Sequence, residues 1–377
     1  MKIAVVIPKY GLVGGAEQFA YELTELLASN EDLEVHVFAN KYRKGEAPIT
    51  FHKVPIIPFP RFMRPISFAY FSREMIGSGN YDLVHSHDRV FRLDLLTMHG
   101  IPHKTWIKKA RRKSLSLFDR SMAWVEAKGI TGSHIPMILP VSSLVKDELL
   151  KLYDIPESKI RVIHPGVSTD RFSAFDQESC RHEIRQRHGL SPSDVVILFV
   201  GMNFEIKRLE LVLKSMSHLV GRGNRNSNLK LLVVGKGNKE RYLTIARDLG
   251  IVNQVIFAGV TRRVEEYYLA SDIFTMPSQF DTFGLAVLEA MTTGLPVIIT
   301  RNVGARDLID PGIHGFVLGE DPSPFDLSKK LAFLLKKENR MRIGENARKV
   351  ALQHTWDKAA DEVADLYQKL IRGESAL

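Results

Sequence analysis

Two carboxylates stand eight positions apart in the stretch SQFDTFGLAVLEAMTTGLPV: Asp281 and Glu289, with Phe283, Gly284 and Leu285 between them. A helix starting near Gly284 puts Glu289 a little more than one turn in, at roughly 3.6 residues per turn, and leaves Asp281 in the loop before it. The free backbone N–H groups of Phe283, Gly284 and Leu285 then crown a positive helix end suited to a phosphate. Carboxylates touching that phosphate would repel it, so their chemistry is to accept hydrogen bonds from hydroxyls on either side. A sugar on one side and a ribose on the other describe a nucleotide sugar. An amphipathic helix whose acids merely complement its dipole accounts for the same spacing.

The elements that must position these groups alternate strand and helix. Lys2 to Ile7 is a continuous apolar strand, as in a sheet buried on both faces. Gly14-Gly15-Ala16-Glu17 leads into a helix to Ala28, and Glu34 to Ala39 reads as the next strand. The turn lacks the full G-x-G-x-x-G fingerprint, which argues against a dinucleotide oxidoreductase. Prolines crowd residues 45–65 around a short strand at Phe51 to Val54. Strands then end in polar residues at His85-Ser86-His87-Asp88 and at Thr97-Met98-His99-Gly100, where open α/β sheets carry their chemistry. The pattern restarts after residue 193: Val195 to Val200 ends at Gly201, Leu229 to Val234 ends at Gly235, and Asp272 to Pro277 runs into the opening stretch. Trp356 to Leu370 is an amphipathic helix whose apolar face must be buried on something.

The chain has 377 residues, 45% hydrophobic and 25% charged, enough for two or three domains. Cys180 is the sole cysteine, so no disulfide framework or multi-cysteine zinc site exists and a reducing compartment is expected. No D-x-D pair stands ready to hold a divalent ion, and neither a metal nor a cofactor is expected. The N-terminus does not read as a signal peptide, and no apolar run reaches the roughly 18 residues of a membrane span. A cytoplasmic monomer is expected. The net charge of +9 favours anionic partners. Nucleic acid is not expected, because no basic stripe interleaves with stacking aromatics.

Asp281, Glu289 and the following AMTTGLPV together resemble the signature of the retaining glycosyltransferases of family four, with Asp in place of the usual first Glu. The resemblance spans nearly the whole chain and includes KYG-x-x-GG at the start, HPGVSTDRF, and VG-x-x-F near Gly201. It implies the GT-B fold, two Rossmann-like α/β domains facing across a cleft: an acceptor domain at 1–171, a nucleotide-sugar domain at 172–354, and a helix at 355–377 crossing back onto the first. In that fold Lys207 occupies the basic position against the donor diphosphate. Met202 replaces the family's usual Arg and Arg208 its usual Gly, so Arg208 is a candidate to supply the guanidinium. Asp281 would hold sugar hydroxyls and Glu289 the ribose. Gly15, Gly201, Gly235 and the Phe283-Gly284-Leu285 amides would approach the donor. His99 would position the acceptor or steady charge on the moving sugar.

The segment HKTWIKKARRK, with Lys104, Trp106, Lys108, Lys109, Arg111 and Arg112, has the composition of a surface that meets an anionic bilayer, although a solvated helical face has it too. The resemblance places acceptor or membrane contact there, on the inner face of the cytoplasmic membrane. The branch most similar in pattern adds glucose to heptose of the lipopolysaccharide inner core. The expected reaction is therefore transfer of a hexose, glucose from UDP-glucose, onto a lipid-linked glycan with retention. A nucleotide-sugar epimerase of the same shape and a non-catalytic membrane scaffold are the alternatives.

Overall fold

The computed structural model describes every residue except 13, 112–113, 133, 221–227 and 375–377, and the chain divides into two compact units. The first comprises Met1–Gly166 and Trp356–Leu377, the second Val167–Thr355.

In the first unit the strands β1 (Lys2–Val6), β3 (Glu34–Ala39), β5 (Thr50–Lys53), β6 (Leu83–Ser86), β7 (Leu95–Met98) and β8 (Met137–Pro140) form one parallel sheet in the order β5-β3-β1-β6-β7-β8. Two short strands, β2 (Lys9–Tyr10) and β4 (Lys41–Tyr42), pair beside it. The second unit repeats the plan with β9 (Val195–Gly201), β10 (Leu229–Gly235), β11 (Val255–Gly259), β12 (Ile273–Met276), β13 (Val297–Thr300) and β14 (Gly315–Leu318), ordered β11-β10-β9-β12-β13-β14 and again all parallel. Each is the doubly wound Rossmann order. The order reverses beside β1 in one sheet and beside β9 in the other, so the loops leaving the strand ends there diverge and open a crevice.

The apolar runs read from sequence form these strands because both sheet faces are covered. Leu198 and Phe199 in β9, and Leu231, Leu232 and Val233 in β10, are fully buried on alternating faces. The helix Trp356–Arg372 buries Trp356, Ala359, Ala360, Val363, Leu366 and Tyr367, one face at helical spacing. That face covers the helix Gly15–Ala28, with the Trp356 and Phe19 rings edge to face at 5.1 Å. The C-terminal helix thus completes the core of the first unit. Among the described residues no helix is long and apolar enough to cross a membrane.

Leu366 is fully buried on this face. Leu366→Ala should destabilise the first unit by about 2–5 kcal/mol through lost apolar contact and the cavity left behind. Denaturant titration with a probe in that unit measures it, and a change under about 1 kcal/mol would show that the helix contributes little to the core.

Candidate active site

In the second unit the site begins where β9 and β10 end. Gly235 pairs with Gly201 across the two strands and has φ 126°, a conformation that L side chains rarely adopt. A Cβ on Gly235 would lie 1.9 Å from the Gly201 carbonyl oxygen, so the two strand ends close together only because glycine stands there. After Gly201 the chain turns on Asn203, whose Oδ1 accepts from the N–H groups of Glu205 and Ile206, each at 3.1 Å. The Lys207 N–H donates to the Asn203 carbonyl at 3.0 Å, and buried Phe204 anchors the turn between Phe199 and Tyr242.

That turn delivers the Lys207 ammonium to the Asp281 carboxylate as an ion pair, both side chains being 18% exposed. The Asp281 loop is pinned on the opposite side. The Asp281 N–H donates to the Asn302 carbonyl at 2.8 Å, the Gly304 N–H donates to the Asp281 carbonyl at 3.0 Å, and Gln279 N–H donates to the Ile206 carbonyl at 2.8 Å. The last bond ties the loop after β12 directly to the loop after β9. Gly284 then turns left-handed (φ 90°) and caps the helix Leu285–Thr292. Its own Cβ would meet Met276 Cε at 2.9 Å and Val303 Cγ1 at 3.0 Å, so this cap too requires glycine. The Val287 N–H donates to the Gly284 carbonyl at 2.8 Å, which leaves the Leu285 and Ala286 amides of the first turn for a ligand.

Glu289 lies on that helix, partly exposed, and its Oε2 accepts from the Tyr268 hydroxyl at 2.8 Å. Burial pushes the Glu289 carboxyl above its ordinary value, outweighing the downward pull of the Tyr268 hydrogen bond and the nearby Arg171 charge. Nothing in the sequence marks Tyr268 for this role; it stands buried on the short helix Val264–Ala270. Arg171, ion-paired with Glu265, was equally hidden.

The first unit carries a second constellation at the ends of β6 and β7. His85 Nδ1 shares a 2.6 Å hydrogen bond with the Tyr367 hydroxyl, and its Nε2 one of 2.7 Å with Thr97 Oγ1. His87 Nδ1 and His99 Nε2 lie 3.1 Å apart, and the His99 ring meets Phe19 edge to face at 4.7 Å. His87 Nε2 is buried and has no hydrogen-bond partner among the described residues. Burial, with the neighbouring His99, pushes His85 down to about 3. Burial, with the Arg89 charge, does the same to His99. His87 is held well below its ordinary value by burial and by the other two rings. These imidazoles are therefore neutral near pH 7. A pocket of about 380 Å³ opens beside His87 and His99, with Glu17, Asp88, Arg89 and Glu126 also on its wall. Glu126 is buried there and accepts from Arg89 Nε at 2.7 Å, from the Tyr153 hydroxyl at 2.8 Å and from the His103 N–H at 3.1 Å.

Lys207, Asp281, Gly201, Gly235, Phe283, Gly284, Leu285 and Glu289 thus all belong to the crevice end of the second sheet. Arg208 follows Lys207 in sequence but turns elsewhere. It adopts φ 56°, and its guanidinium donates to the Glu320 carbonyl at 3.0 Å and to Asp321 Oδ1 at 2.9 Å. Gly15 stands in the first unit as the first residue of its helix, with open space where a Cβ would be. In the basic segment, a short helix His103–Trp106 passes into a π-helical turn, Ile107–Arg111. Lys104 and Lys108 are exposed and Trp106 is half-buried. Lys109 is ion-paired with Glu148 at 2.7 Å, and Lys151 meets the same carboxylate at 2.7 Å. Burial pushes Glu148 up, but the two lysines more than offset it and hold the carboxyl below its ordinary value. The Arg111 side chain, and Arg112 and Lys113 entirely, lie outside the described residues. Among the described residues no group of three or more His, Cys, Asp or Glu side chains is placed to hold a metal ion.

Two family profiles cover the two units in turn. Residues 13–171 match the Glycosyltransferase Family 4 profile, and residues 181–350 match Glycosyl transferases group 1. A D-inositol 3-phosphate glycosyltransferase of Corynebacterium jeikeium is 30% identical over 311 residues, covering 77% of this chain and 73% of its own. Among solved structures, WaaG, a glycosyltransferase involved in lipopolysaccharide biosynthesis, superposes with a TM-score of 0.79 at 22% identity over 97% of this chain and 99% of its own. HepE of Anabaena, crystallised with UDP-glucose, superposes with a TM-score of 0.74 at 16% identity over 98% of this chain and all of its own.

The depressed histidines carry a pH consequence. The folded state holds His85 and His99 neutral down to about pH 3, whereas the unfolded chain protonates them near the ordinary value of 6.5. The unfolded state therefore binds more protons between those limits, and stability falls as pH drops through that window. Urea titrations of the first unit from pH 7 to pH 4 should show this loss, and His99→Asn should make it shallower. Identical slopes for the two proteins would contradict the burial of a neutral His99.

Proposed function

Because the chain belongs to the family of group 1 glycosyltransferases, we propose that it transfers a hexose, glucose from UDP-glucose, to an acceptor hydroxyl with retention at the anomeric carbon. The observation that carries this reading is the Lys207–Asp281 ion pair set just ahead of the glycine-capped helix that bears Glu289. A nucleoside diphosphate sugar needs a cation and free amides for its diphosphate, and carboxylates for the hydroxyls at either end. Those groups are present in one crevice. Support for UDP-glucose comes from the fold shared with HepE, which was crystallised with that nucleotide sugar.

In the proposed reaction the Lys207 ammonium and the first-turn amides of the Leu285–Thr292 helix meet the diphosphate. The leaving oxygen gains negative charge in the transition state, so these fixed donors stabilise it more than the ground state. Asp281, already oriented by two backbone hydrogen bonds, accepts from hydroxyls of the sugar, and Glu289 accepts from the ribose. No nucleophilic side chain is assigned. The leaving phosphate takes the acceptor proton as the acceptor attacks from the same face. Arg208 is committed to Asp321, so in this reading it acts through the shape of the turn rather than on the phosphate.

The acceptor is proposed to lie in the first unit beside His99, in the pocket whose wall carries the neutral His87 and His99 imidazoles together with Asp88, Arg89 and Lys9. A lipid-linked glycan, heptose of the lipopolysaccharide inner core, is the acceptor we favour. The shared fold with WaaG and the exposed Lys104 and Lys108, suited to a peripheral membrane site, are its support. The Corynebacterium relative's name puts forward a phosphorylated cyclitol as the competing acceptor.

Lys207→Met and Asp281→Asn should each lower kcat by about 100-fold or more, the scale lost with one preorganised charge-stabilising donor. Turnover of UDP-glucose with purified lipid-linked core acceptor measures this. Near-normal rates in either variant, with folding intact, would remove the residue from the site.

A further inference from the structure

The first unit has a second pocket, of about 520 Å³, to which the proposed transfer chemistry assigns no role. It adjoins the His99 pocket through a common wall of Pro8, Lys9, Asp88 and Arg89. Its rim is cationic: Lys9 and Lys41 from β2 and β4, and Arg61 and Arg64 from the turn that opens the helix Met63–Gly77. Its wall is apolar, with Ile56, Pro65, Phe68, Phe118 and Met122.

The charge arrangement lacks a counterpart. Lys9 and Lys41 stand directly opposite each other across the β2–β4 pair, a register in which like charges repel. None of the four rim cations has an ion-pair partner among the described residues. Arg89 is different, being neutralised by buried Glu126 at 2.7 Å and by Asp88 at 3.3 Å, and the Asp88 carboxylate is thereby turned toward it. Two of the rim cations are also held in place. The Arg61 guanidinium lies over the Phe118 ring at 4.7 Å, and Arg64 Nε donates to the Pro58 carbonyl at 2.9 Å, which leaves its terminal nitrogens for other acceptors. Preset guanidinium planes beside a pair of opposed lysines offer charge-assisted donors to the acceptor oxygens of a phosphate ester. The apolar wall suits a hydrocarbon portion attached to it.

We propose that this pocket binds a phosphate ester carried by the acceptor, and so continues the acceptor site beyond the hydroxyl that is glycosylated. The assignment to the acceptor rests on the proposed transferase reading; the binding of a phosphate ester does not. The shared ligand chemistry has two sources, a lipid-borne phosphate or a phosphate on a soluble acceptor, and the choice of probe separates them.

Calorimetric titration of the full chain with octyl phosphate below its micelle concentration, inorganic phosphate and 1-octanol tests the proposal. The unsubstituted protein should bind octyl phosphate, with Lys41→Gln and Arg61→Gln each weakening it at least about tenfold while leaving UDP binding and melting unchanged. Octyl phosphate binding tighter than inorganic phosphate supports a lipid-borne phosphate, and equal affinity supports a soluble phosphorylated acceptor. Equal binding of 1-octanol, or undiminished octyl phosphate binding in the double variant, would overturn the site. In the unsubstituted chain, octyl phosphate should also slow phenylglyoxal modification of Arg61 and Arg64, and absence of protection would overturn it without any variant. UDP binding lost with octyl phosphate binding kept would defeat the transferase reading alone.

Discussion

The Lys207–Asp281 ion pair joins the two loops that diverge where strand order reverses in the second sheet. One loop leaves β9 and the other leaves β12, and with Lys207 and Asp281 only 18% exposed neither charge is free of the other. Removing one partner would leave the other partly desolvated and unpaired, which costs more than the pair contributes. The pair is therefore a positioning device before it is a reactive one. It holds an ammonium against the loop that leads into the Leu285–Thr292 helix, and it fixes the Asp281 carboxylate just ahead of that helix's Gly284 cap. The glycines make this possible: Gly235 lets β9 and β10 close, and Gly284 lets the chain turn sharply into the helix.

The first unit solves a different problem. His85 and His87 are buried and His99 half-buried, in hydrogen-bonded contact with one another or with groups from distant parts of the chain, Tyr367 among them. Burial keeps them neutral, so the pocket beside them presents imidazole rather than imidazolium. Because Tyr367 and Trp356 come from the C-terminal helix, the same packing that completes the core also orients His85 and Phe19. The charged wall opposite is satisfied internally, Arg89 and Tyr153 both closing on Glu126.

Much of this was legible in the sequence, for a physical reason. Strands buried on both faces must be continuous apolar runs, so β1, β9 and β10 announce themselves, and a glycine after a loop acid ahead of an apolar run marks the helix at Gly284. The Rossmann-like fold and the family signature at Asp281–Val297 follow from such local patterns. What was not legible depends on contacts between residues far apart in sequence. Nothing local shows that Tyr268 would donate to Glu289, that Lys109 would be tied to Glu148, or that Arg208 would turn to Asp321. Arg208 is instructive. The sequence shows only a cation next to Lys207, whereas a backbone at φ 56° swings the side chain away from it. The cationic rim at Lys9, Lys41, Arg61 and Arg64 was likewise invisible, because its members come from three separated segments.

The central claim is that the second unit holds a uridine diphosphate sugar through Glu289 and the Lys207–Asp281 pair. The most direct measurement is a thermal-shift comparison of UDP, UDP-glucose, GDP and ADP on the unsubstituted protein and on Glu289→Ala. A ligand that binds only the folded state raises the melting temperature in proportion to its affinity. The account predicts a selective shift with UDP and UDP-glucose that the substitution abolishes. No shift with any nucleotide in a folded protein, or an equal UDP shift in Glu289→Ala, would contradict it.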